Sequence, residues 1–153
     1  MKPSWRPVAD IRQLRQRAQL LAAIRRFFAE REVLEVETPL LCSASGTDPN
    51  LDFFSSRFHG PPNPQTLFLQ TSPEFAMKRL LAAGAEAIYQ VTRAFRADEA
   101  GDLHNPEFTT IEAYQAYTDY HGMMELAEDL ISRCSLAVNG TTQITYQDQA
   151  IDL

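Results

Sequence analysis

Cysteine is scarce in this sequence: Cys42 and Cys134 lie far apart and form no metal or disulfide pattern, which points to a reducing, cytoplasmic setting. Three scattered histidines, His59, His104 and His121, offer no zinc spacing, and no metal ligand set is expected. No apolar run is long enough to span a bilayer, and the opening MKPSWRPVAD lacks the apolar core of a secretory leader. Basic charge is also short. Fourteen Lys and Arg against 20 Asp and Glu leave a net charge of −6, which argues against a broad nucleic-acid surface; a bound tRNA would need a local basic patch. Repeats and low-complexity tracts are absent. What is present is an ordinary globular composition, 44% hydrophobic and 22% charged over 153 residues, enough for one domain with its own core.

Asp10 can cap a helix whose apolar residues Ile11, Leu14, Ala18, Leu21, Ile24 and Phe28 share one face. Arg12, Arg15, Arg25 and Arg26 point elsewhere, toward solvent or a partner. That helix should end near 30–32, because residues 33–38 alternate as a strand does and Pro39 stops the strand or marks it as an edge. Residues 42–66 are rich in turn formers, broken by a strand-like stretch over 51–58. A strand over 67–71 then runs into Ser72-Pro73-Glu74, where an N-cap serine, a proline at the first helical position and an early carboxylate start a helix. It carries Met77, Leu80 and Leu81 and ends at Gly84. Residues 88–96 and 107–114 are expected to pair as an antiparallel hairpin around a polar, charged loop. Met123, Ala127, Leu130, Ile131 and Cys134 mark another helix, Asn139-Gly140 a turn, and residues 142–146 a last strand. The order predicts an α+β domain with an antiparallel sheet, both cysteines buried.

The hairpin holds the residues suited to chemistry. Alternation puts Phe108, Thr110, Glu112 and Tyr114 on one face of its second strand and Thr109, Ile111 and Ala113 on the other. On the first strand Arg96 shares its face with Gln90, Thr92 and Ala94, so pairing could bring Arg96 close to Phe108. A guanidinium grips a phosphate or carboxylate through two parallel hydrogen bonds. An aromatic ring supports a purine, and carboxylates with a phenol receive an ammonium group. A nucleotide and a cationic amino acid would suit this surface; polar-faced hairpins without such a role are also common.

Phe95-Arg96-Ala97-Asp98-Glu99 followed by His104-Asn105-Pro106-Glu107-Phe108-Thr109 resembles motif 2 of the lysine branch of class II aminoacyl-tRNA synthetases. Arg25-Arg26-Phe27-Phe28 with residues 31–39, ending Leu34-Glu35-Val36-Glu37-Thr38-Pro39, looks like motif 1. The resemblance covers nearly the whole chain and implies a class II-type antiparallel sheet flanked by helices. It also implies roles. Arg96 would hold the ATP α-phosphate and the amino-acid carboxylate as the catalytic residue. Asn105 and Phe108 would bind adenine, the latter by stacking. Glu74, with Ser72 beside it, would receive the α-ammonium, and Glu112 and Tyr114 the side-chain ammonium, selecting lysine. Asp98 stands where the family pattern has Glu, so either Asp98 or the adjacent Glu99 would make the adenine-side contact. His104 would be a loop or phosphate contact rather than a general base. Motif 1 implies a homodimer through residues 11–39.

Motif 3, a glycine-rich strand and helix with an arginine for the distal phosphates, has no match among residues 1–153, which hold only six glycines. The resemblance therefore implies an N-terminal part of the catalytic domain, without an anticodon-binding domain, whose magnesium-binding carboxylates would lie beyond it. Two branches fit. The short start with Ser4-Trp5-Arg6-Pro7, together with Thr47-Asp48, Arg57-Phe58 and Thr71-Ser72-Pro73-Glu74-Phe75, resembles the paralogue that adenylates lysine, preferably β-lysine, and transfers it to elongation factor P. Residues 112–120, 138–142 and 151–153 look more like a lysine–tRNA ligase, with tRNA as acceptor. A non-catalytic dimerisation or regulatory module of the same fold is a third expectation.

Overall fold

The computed structural model describes residues 5, 7–61 and 63–153; Ser4 and Arg6 of the resemblance above lie outside them. In chain order the elements are α1 (Ile11–Ala29), β1 (Leu34–Glu35), β2 (Leu41–Cys42), β3 (Ser55–Phe58), β4 (Gln65–Leu69), α2 (Glu74–Ala82), β5 (Ala87–Phe95), β6 (Glu107–Gln115), α3 (Tyr120–Asn139), β7 (Gln143–Tyr146) and β8 (Gln149–Asp152). They fall into two compact units. One holds α1, α3, β7 and β8; the other is Leu34–Ala116.

In the first unit α1 starts as its sequence dictates. The Asp10 carboxylate accepts from Gln13 N at 2.7 Å and Gln13 Oε1 accepts from Asp10 N at 2.8 Å, a reciprocal capping box. Its apolar face buries Ile24, Phe27 and Phe28, with the two phenyl rings meeting edge-on at 5.2 Å. Past the helix end Arg31 lies 3.7 Å over the Phe27 ring and ion-pairs with Asp129 of α3. We expect Phe28→Ala to cost about 3–5 kcal/mol, read as a lowered midpoint of urea unfolding. An unchanged midpoint would mean that Phe28 is not in a packed core.

The turn expected at Asn139-Gly140 is the end of α3: Asn139 is its last residue, and Gly140 at φ 75° is its left-handed cap. A hairpin does follow, β7 with β8, turning at Gln147 and Asp148, whose φ values are 49° and 61°. The strand β8 was not expected, because Gln-Asp lacks the Asn-Gly or Asp-Gly signature of such loops.

In the second unit the long hairpin forms as expected, β5 and β6 pairing antiparallel from Ala87↔Gln115 to Phe95↔Glu107. The sheet as a whole is mixed rather than antiparallel, because β1 joins β5 in parallel at Leu34↔Ile88 and Glu35↔Tyr89. Residue alternation marks a strand but carries no information on its direction. The strand expected over 33–38 shortens to two residues, since only that stretch runs along β5. The strand-like stretch over 51–58 and the strand over 67–71 appear as β3 and β4, and with β2 they form a second sheet, β2-β4-β3, whose pairing the sequence did not indicate. Met77 of α2 is fully buried, as are Ile88, Tyr89 and Ala94 of β5. Neither cysteine is fully buried: Cys42 and Cys134 are half-buried free thiols, and burial pushes the Cys134 thiol up. Among the described residues no helix is long and apolar enough to cross a membrane.

Candidate active site

All ten residues singled out from the sequence lie in the second unit, around the β5–β6 face and the start of α2. The helix begins one residue later than expected, at Glu74, with Pro73 in the capping position. Proline has no side-chain oxygen to offer, so the preceding Ser72 does the work: its Oγ accepts from Glu74 N at 3.1 Å. The same hydroxyl donates to Glu112 Oε1 at 2.6 Å, and the Tyr114 hydroxyl donates to Glu112 Oε2 at 3.0 Å. Each carboxylate oxygen of Glu112 is thus held by one neutral donor. Two oxygens offer about four acceptor sites, so capacity remains for a ligand's N–H groups. Burial pushes the Tyr114 phenol well above its ordinary range, and the Glu112 charge and hydrogen bond and the Glu74 charge push the same way. Tyr114 therefore stays a proton donor to Glu112 across the neutral range. Ser72, grouped with Glu74 from the sequence, is in fact the bridge between Glu74 and Glu112. The Glu74 carboxylate itself ion-pairs with Lys78 one turn along α2.

The other end of the face is built on Arg96, just past β5. Its N–H donates to Pro106 O at 2.9 Å, and the pairing of Ala94 with Phe108 brings the guanidinium 5.1 Å from the Phe108 ring centre. Arg96 Nη1 donates to Glu99 Oε1 at 3.1 Å, while Nε is buried with no acceptor among the described residues. Glu99, not Asp98, is therefore the carboxylate on Arg96. Asp98 turns to Asp52: desolvation first, then the Asp52 hydrogen bond and charge and the Glu99 charge, raise the Asp98 carboxyl above its ordinary range. Ala97 N donates to Asp52 O at 3.0 Å, which fixes that approach.

His104 and Asn105 are exposed on the connecting loop, where the His104 backbone exchanges hydrogen bonds with Gly101. No hydrogen bond among the described residues ties either side chain to Arg96, Glu99 or Phe108. The structure gathers Ser72, Glu74, Glu112 and Tyr114 at one end, gathers Arg96, Glu99 and Phe108 at the other, and leaves Asp98, His104 and Asn105 on the intervening loop.

Sequence reasoning missed several supports. Gln90, which is buried and paired across the strands with Glu112, accepts from Thr38 Oγ1 at 3.0 Å. Gln70 is buried at the end of β4. The Lys78 partner of Glu74 was available as an i,i+4 pair; Gln70, Asp52 and Thr38 carried no local signal. No group of three or more His, Cys, Asp or Glu is placed to hold a metal among the described residues.

Elongation factor P--(R)-beta-lysine ligase of Vibrio parahaemolyticus is 49% identical over 155 aligned residues, covering 100% of this chain and 48% of that protein. The ligases of the same name from Photobacterium profundum (44% identical, 99% of this chain, 47% of that protein) and Yersinia enterocolitica (49% identical, 94% of this chain, 45% of that protein) are similar. The chain spans about half the length of the curated relatives it matches. Residues 8–152 match the family model of the class II tRNA synthetases (D, K and N), and the chain belongs to that family.

Proposed function

We propose that the protein activates lysine or β-lysine with ATP as an aminoacyl-adenylate and transfers the aminoacyl group to a lysine side chain of elongation factor P. The observation that carries this reading is the polarity of one sheet face. A carboxylate held by two hydroxyls, Glu112 with Ser72 and Tyr114, marks one end, and an arginine with a buried, unpaired N–H marks the other. The first end suits an ammonium group, the second an anion.

The chemistry follows from that polarity. The amino-acid carboxylate attacks the α-phosphorus of ATP, the bond to pyrophosphate breaks, and negative charge grows on the phosphoryl oxygens. Arg96 offers its free donors to that charge, while Glu99 holds Nη1 and orients the guanidinium. Phe108 beneath the guanidinium provides the ring on which adenine stacks. Asn105, His104 and Asp98 would meet the nucleotide from the loop, and Glu74 would take the α-ammonium by exchanging Lys78 for substrate. In the second step the acceptor amine attacks the adenylate carbonyl, AMP leaves, and an amide forms. Magnesium would supply positive charge to the ATP phosphates; no described residue is assigned to it. Exposed Ile11, Leu14 and Leu34 support a homodimer through residues 11–39. The need for ATP and elongation factor P makes the cytoplasm the expected compartment.

The name the relatives carry and the net charge of −6 favour a protein acceptor over tRNA. The test is to supply the full-length protein with ATP, labelled β-lysine and either elongation factor P or tRNA. Label on a lysine of elongation factor P is expected. Label on tRNA instead would overturn the acceptor and favour a lysine–tRNA ligase; label on neither would favour a non-catalytic module.

A further inference from the structure

The two ends of the site lie on β5 and β6, whose pairing sets their register; the end of β5 that leads into Arg96 is also held along its other edge. Strand β5 is covered on its outer side only near its start, by β1 at Leu34 and Glu35 and by Val36 N donating to Tyr89 O at 2.9 Å. Farther along, where β5 leads into Arg96, no strand among the described residues pairs with that edge. A single residue takes its place. Gln70 O accepts from Phe95 N at 2.9 Å, and Gln70 Nε2 donates to Arg93 O at 2.9 Å and to Thr92 Oγ1 at 3.3 Å. Gln70 is 5% exposed, so these bonds have little competition from water. Gln70 N donates to Leu40 O at 2.9 Å, which ties the clamp back to the second sheet. Two residues on, Ser72 grips Glu112 on β6.

We propose that Gln70 is a positioning residue: its side-chain amide pins the outer edge of β5 at Thr92 and Arg93, and the short tie from Gln70 to Ser72 adds to the β5–β6 pairing in holding the spacing between Arg96 and Glu112. This inference rests on the lysine-activating function proposed above. Arg96 acts on charge that develops at phosphorus while Glu112 holds the other end of the same substrate, so an error in their spacing reaches the reacting atoms. A misplacement on the order of 1 Å costs about 100-fold in rate.

The test is single-turnover adenylate formation in the full-length protein, comparing wild type with Gln70→Leu and Gln70→Asn. Leucine keeps the volume and removes the amide; asparagine keeps the amide but falls short of Arg93 O, a second route should the leucine variant fail to fold. The amplitude counts competent sites, and the rate constant reports how each site is arranged. A purely structural role lowers the amplitude alone. The proposal expects the rate constant to fall about 10- to 100-fold in a folded variant. A wild-type rate constant in a folded variant overturns it. Absence of adenylate in the wild type overturns the proposed function and this inference with it, so the two failures are distinguishable.

Discussion

Arg96→Ala is expected to slow lysine-dependent adenylate formation by about 1,000-fold or more while leaving the melting temperature unchanged or slightly raised. The rate loss follows from removing a multi-donor cation aimed at charge that exists only in the transition state; loss of one such donor costs on the order of 100- to 1,000-fold. The stability side follows from what Arg96 does in the free protein. Its Nε is buried without an acceptor, an unmet donor that costs stability, and its ion pair with Glu99 involves side chains 31% and 28% exposed. A residue that is poorly satisfied in the fold but placed for an anion is what a trade of stability for function produces. Pyrophosphate exchange with a thermal melt reads both quantities. Wild-type exchange in this variant would remove Arg96 from the mechanism.

Glu112→Gln is the second large effect. The substitution removes the charge that would receive the ammonium and disrupts the support around it. Ser72 and Tyr114 both donate to Glu112, whereas an amide has one oxygen, so one of the two hydroxyls would face an NH₂ group instead. We expect kcat/KM for lysine to fall about 100-fold or more, chiefly through KM, since hydrogen bonds to charged groups contribute about 1.5–3 kcal/mol each and the ion pair adds to them. The preference for lysine over its uncharged isostere norleucine should collapse in parallel. A variant that kept full discrimination between the two would place lysine selection elsewhere.

How much of this was legible in the residues depended on how local each signal is. The α1 cap, the β5–β6 hairpin and the facing of Phe108, Thr110, Glu112 and Tyr114 rest on short-range rules, capping geometry and strand alternation, and these appear in the structure. The closeness of Arg96 to Phe108 followed from the same alternation. The parallel entry of β1, the pairing of β2, β3 and β4 into a second sheet, and the partners of Ser72 and Asp98 did not follow. They depend on contacts across long stretches of chain: Ser72 with Glu112 is 40 residues apart, and Thr38 with Gln90 is 52. Gln70 is the extreme case. Nothing marks it among its neighbours in sequence, and its importance comes from the strand edge it happens to close.

Residues that resemblance assigned to nucleotide binding also divide by structure. Phe108 and Glu99 are already engaged with Arg96, whereas Asn105 and His104 sit on an exposed loop. A loop of that kind is the part of a site expected to order around its ligand.

The most direct test of the central claim is ATP–pyrophosphate exchange by the full-length protein with α-lysine, β-lysine and norleucine supplied in turn. The account predicts exchange that requires an amino acid with a second ammonium group and is stronger with β-lysine. Exchange that proceeds equally well with norleucine, or fails with both lysines, would contradict it.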